Sequence, residues 1–125
     1  MKFTNQQKIR EWLKSQNITN ILDNISINRK KKSDWENYIV LNFETLQFNQ
    51  IENTDLCIVQ IYMQDIWWVW SAEKVADDII DIFPWENKRF DDFEVYQVLP
   101  TNRSPEFTLK GQYKVSLFFQ IRYLI

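Results

Sequence analysis

The sequence predicts one α+β domain over residues 1–125. It would hold a mainly antiparallel sheet of four to five strands with two helices packed on one face, in the order α-β-β-β-α-β-β. Three observations carry this. From Gln112 to the last residue, every odd position is apolar or aromatic: Tyr113, Val115, Leu117, Phe119, Ile121, Tyr123 and Ile125. The even positions are mostly polar, and a period of two marks a strand with one buried face. Behind Ser71, the residues Val75, Ala76, Ile79, Ile80 and Phe83 form the broad apolar face of an amphipathic helix. The remaining strand patterns follow one another across short turns, which favours antiparallel pairing.

The elements can be justified in order. Thr4 and Gln7 have the spacing of a capping box, so the first helix is expected from Asn5 to Gln16, with Ile9, Trp12 and Leu13 inward and Ile18 closing the segment. A short strand is expected at Ile25 to Asn28, then a polar loop. Tyr38 to Phe48 is a clearer strand, with Ile39, Leu41 and Phe43 alternating against more polar neighbours. The stretch NQIENTD is turn material. In the strand Leu56 to Asp65, Cys57, Val59, Ile61 and Met63 form the buried set. Ser71 is expected as N-cap of the second helix and Glu73 suits its first turn. Trp70 and Val75 would then make a hydrophobic staple, and Pro84 ends the helix. PWENKRFDD reads as a loop. The next strand is Phe93 to Leu99, with Phe93, Val95, Gln97 and Leu99 on one side. Pro100 and Pro105 bracket a connector before the final strand.

Composition narrows the chemistry. The 125 residues include 45% hydrophobic and 16% aromatic residues and carry a net charge of −2, enough apolar material for a core and not the balance of a dedicated nucleic-acid binder. Histidine is absent and Cys57 is the one cysteine. That excludes an intrachain disulfide, a Cys–His or Ser–His catalytic arrangement and a zinc site of the usual kind, and it suits a reducing compartment. Gly111 is the one glycine, so no glycine-rich phosphate loop is present. No cofactor and no metal is expected. No apolar run has the length of a signal peptide or a membrane span, so no membrane contact is expected either.

The order of elements, with the segment IVQIYMQDIW from Ile58, SAEKVADDIIDIF from Ser71 and the closing strand GQYKVSLFFQIRYLI from Gly111, resembles the tail terminators of long-tailed bacteriophages and related neck proteins that join head to tail. The resemblance covers most of the chain and rests on element order, length and the style of the last two elements. It implies a structural virion protein assembled in the host cytoplasm and acting as a homo-oligomeric ring, usually hexameric. Such a ring caps the tail tube, meets the tail-tube and head-connector proteins, and lets the genome pass through its lumen. The family offers no catalytic motif to carry over, and the tryptophan-rich IWWVW is a departure from it.

Candidate contact residues follow from the chain itself. Trp67 and Trp68 cannot both point the same way in an extended segment, and aromatics dominate interface cores; packing inside the domain is the plainer alternative. Arg29, Lys30, Lys31 and Lys32 form the one concentrated basic run. It could face passing DNA or an acidic partner, or be a solvated loop. Glu73, Asp77 and Asp81 recur every four residues, an acidic stripe able to meet a neighbour's basic loop or to be the wet side of a helix. Arg103 and Phe107 lie in the 100–110 connector, which could reach a partner. A small protein-binding module, an adaptor or an inhibitor using an exposed aromatic patch, is the alternative to the virion reading. A hydrolase built on carboxylate clusters is the third: adjacent helical residues such as Asp77 and Asp78 point ~100° apart and make a poor pair.

Overall fold

The computed structural model describes residues 1–16, 25–27, 38–48, 53–63, 69–90, 93–108 and 111–124, with the backbone alone at 25–27, 69–71 and 86. Among them the chain runs α1 (Phe3–Lys14), β1 (Ile25–Ile27), β2 (Tyr38–Phe48), β3 (Asn53–Met63), α2 (Val69–Ile82), β4 (Glu86–Arg89), β5 (Glu94–Phe107) and β6 (Tyr113–Leu124). One sheet takes the order β1-β2-β3-β6-β5-β4. The five strands from β2 to β4 are antiparallel to their neighbours. The fold is therefore α+β on a mainly antiparallel sheet, as the sequence pattern indicates. The exception is β1, which pairs parallel to β2 through Ile25↔Ile39 and Ile27↔Leu41.

Both helices cover the same face of the sheet. Ile9 and Leu13 from α1, and Ala72, Val75, Ala76, Ile79 and the following Phe83 from α2, share a buried cluster with Ile39, Leu41, Cys57, Val59, Ile61 and the odd residues Tyr113 to Tyr123 of β6. The period-two reading thus holds for Cys57 to Met63 of β3 and for Tyr113 to Tyr123 of β6, although Tyr62 on the other face is buried too; Ile18, Asn28, Asp65 and Ile125 lie outside the described residues. Phe83 and Phe119, both fully buried, meet at 4.7 Å between ring centroids. Burying each such ring contributes ~1.5–3 kcal/mol. The opposite face carries a second buried cluster of Tyr38, Val40 and Tyr62, while Leu56, Ile58 and Phe118 are half-buried.

Several expectations are corrected. α1 starts at Phe3 with Lys2 as N-cap and no side-chain cap, so Thr4 lies in the first turn. The reason is tertiary: the Met1 ammonium sits 3.0 Å from buried Asp55 Oδ2 on β3. The Gln6 amide nitrogen donates to the Met1 carbonyl at 3.2 Å, and the Lys2 carbonyl accepts from Asn5 and Gln6 at 3.0 and 3.1 Å. The helix stops at Lys14, where Ser15 Oγ and Gln16 Nε2 both donate to the Trp12 carbonyl, at 2.6 and 3.1 Å. α2 starts at Val69, so Ser71 is inside the helix and not its N-cap, and Trp70 does not hold the position a staple needs. β3 begins at Asn53, inside the expected turn, with Asn53, Thr54 and Asp55 all buried. The stretch that reads as a loop after Pro84 contains β4, in which Asn87 adopts φ 57°, a left-handed conformation that asparagine tolerates.

The largest correction concerns β5. It does not end at Leu99 but continues through Pro100 and Pro105 to Phe107, paired with β6 as far as Phe107↔Tyr113. The expected connector is the far half of a long hairpin, closed around Gly111 at φ 79°, where the absence of a Cβ removes the left-handed penalty. The register shifts between Val95 and Gln97. That extra residue, Tyr96, reverses the alternation beyond it, so Val98 is buried and Leu99 is 42% exposed, the reverse of a strict period of two. A second shift, between Pro100 and Asn102, reverses it again.

Candidate interaction surface

β4 covers the outer edge of β5 only from Glu94 to Gln97. Beyond that the hairpin runs on as an arm with an outer edge that no described strand covers. Arg103 ties this arm to α2. Its Nη1 donates to Asp77 Oδ1 at 2.7 Å, and its Nη2 to Glu73 Oε2 and, at 3.3 Å, to the Glu73 carbonyl. Tyr113 OH donates to the other oxygen of Glu73. One guanidinium fork thus spans two carboxylates one helical turn apart, and the phenol closes the group from β6. Desolvation lowers the Arg103 pKa, but hydrogen bonds and charge from Asp77 and Glu73 outweigh it and leave it raised. Burial, then the Glu73 hydrogen bond and charge, pushes the Tyr113 phenol up to about 12.

Asp77 and Arg103, expected as contacts to other subunits, are therefore brought together within one chain. Asp81 is exposed on the outer side of α2. Phe107 is 61% exposed at the end of the arm, its ring 5.1 Å from that of Tyr113. Trp67, Trp68 and the run Arg29, Lys30, Lys31 and Lys32 lie outside the described residues.

The outer edge of the arm offers few free donors for strand addition. Pro100 and Pro105 have no N–H to offer. The Arg103 backbone N–H donates to its neighbour's side chain, Asn102 Oδ1, at 2.8 Å. Arg103 and Pro105 are two apart and share an orientation on the strand. At positions 100, 103 and 105 the donors that would template another strand are thus missing or occupied, a recognised defence of free edges. At the second register shift Thr101 Oγ1 donates to the Phe118 carbonyl at 3.2 Å. Apolar side chains nonetheless line the sheet's margins: Leu46, Phe48, Leu99 and Phe107 are 55%, 67%, 42% and 61% exposed.

A second feature escapes the sequence pattern. Where β4 turns into β5, a cleft of about 510 Å³ is lined by Gln7, Lys8, Glu11, Trp12, Arg89 and Phe90. Two of its lining residues, Trp12 and Phe90, belong to a larger aromatic cluster. Trp12 meets Trp85 edge-on at 4.5 Å, Trp85 lies 5.8 Å from Phe90, and Phe90 stacks on Phe93 at 4.7 Å. Lys88 Nζ stands 5.2, 5.4 and 5.9 Å from the Trp12, Trp85 and Phe90 rings, each within cation–π range. Trp12 belongs to the expected inner face of the first helix and its neighbour Phe83 to the helical stripe, but Trp85 and Phe90 come from a stretch with no periodicity, so only the fold brings them in. Among the described residues no group of three or more His, Cys, Asp or Glu could hold a metal ion, and no helix is long and apolar enough to cross a membrane. No protein-family model matches the chain, and no curated protein matches it.

Proposed function

We propose that this protein is a structural assembly protein of a tailed-phage virion. In this reading it acts as a ring-forming tail terminator or neck component between the tail tube and the head connector, and it makes and breaks no bonds. The observation that carries the reading is the placement of exposed apolar side chains. Leu46 and Phe48 end one hairpin strand, while Leu99 and Phe107 lie along the arm. Large apolar groups at the margins of a sheet whose arm has few free edge donors suit side-chain docking onto copies and neighbours, not fibre growth. The α+β order that resembles terminators supports the same reading. Purified particles and the isolated chain provide the test: ring-shaped oligomers by electron microscopy, and the chain at the head–tail junction by immunogold labelling, are expected. A chain missing from assembled particles ends the reading.

A binding module acting on one partner is the second reading, and the cleft at Trp12 and Phe90 favours it. Affinity capture followed by sizing separates the two. One stoichiometric partner and no ring would replace the first reading with the second.

A further inference from the structure

We draw no further inference here: the strongest candidate, the open cleft between α1 and the turn from β4 into β5, where Trp12 and Phe90 stand beside Lys8 and Arg89, carries none because nothing in the structure shows what covers it.

Discussion

Replacing Asp55 by Asn should be among the most damaging single changes in this protein. Asp55 has no solvent exposure. Its Oδ1 accepts a hydrogen bond from Tyr123 OH at 3.2 Å. Its Oδ2 lies 3.0 Å from the Met1 ammonium but has no aligned hydrogen-bond donor among the described residues, so that contact is one of charge. At this distance, with an effective dielectric of ~20, the attraction is about 5 kcal/mol. Desolvating both charges cancels most of it, so the intact pair contributes little net. Removing one partner is different, because the other stays buried without compensation, at a cost of about 3–5 kcal/mol. Against a total stability of ~5–15 kcal/mol, that is a large fraction.

Asn keeps the volume and an acceptor for Tyr123, so the loss isolates the charge. With a urea slope of ~2 kcal/mol/M, the unfolding midpoint should fall by about 2 M with the slope unchanged. Acetylating Met1 removes the other charge and should also destabilise, and the two changes together should cost well under their sum. A midpoint for Asp55→Asn within ~0.3 M of wild type would refute the reasoning, since it would mean that the ammonium reaches water or another anion.

Other buried and braced groups give further expected outcomes. Burial first, and then the Asp55 charge, pushes the Cys57 thiol far above its ordinary range; labelling by a thiol reagent should therefore track global unfolding and be nearly absent in the native protein. Tyr113, pushed up to about 12 in the fold from ~10 when unfolded, stays protonated where the unfolded chain ionises. Its stabilisation is complete below ~10 and lost as the pH rises from there through about 12, so the alkaline loss of stability seen by denaturant titration should be smaller in Tyr113→Phe. Arg103→Lys should not substitute for arginine, because one ammonium cannot span Asp77, Glu73 and the Glu73 carbonyl; hydrogen exchange should quicken at 101–107 in Arg103→Ala and Arg103→Lys alike. Restoring edge donors with Asn102→Ala and Pro105→Val should raise self-association through strand pairing, read by light scattering and a rise in β signal.

Much of the fold is legible in the sequence where a single periodicity rules over a long run. β6 is the plainest case: both its neighbours are strands and one face is fully buried, so nothing interrupts the alternation. The helical stripe of α2 behaves likewise, because Ala72, Val75, Ala76, Ile79 and Phe83 all face the same sheet. The failures sit where a local rule meets a longer-range one. Thr4 has capping spacing, yet the start of α1 is set by Met1 docking on Asp55, a contact 54 positions away that no local window contains. Tyr96 adds one residue to β5 without any glycine to mark it, and that silently reverses the faces of Val98 and Leu99. Proline at 100 and 105 argues for a connector in a sheet interior, but at an edge the same missing N–H is an asset.

The candidate site shows the same division more sharply. The acidic stripe and Arg103 are each visible in the sequence, but as separate surfaces offered to a neighbour. Only the hairpin register places Arg103 beside Glu73 and Asp77 and converts two apparent interface charges into an internal brace. Once that brace consumes the charges, the arm is left with few free backbone donors and an exposed phenyl group. Recognition then shifts from charge to shape, and with it the expected salt response. A ring held by charged stripes would loosen steeply as ionic strength rises past ~0.1 M, where the Debye length is about 10 Å. One held by exposed apolar side chains such as Leu46, Phe48 and Phe107 should lose little. A steep salt dependence of self-association would therefore return the acidic stripe to the interface and take the arm out of it.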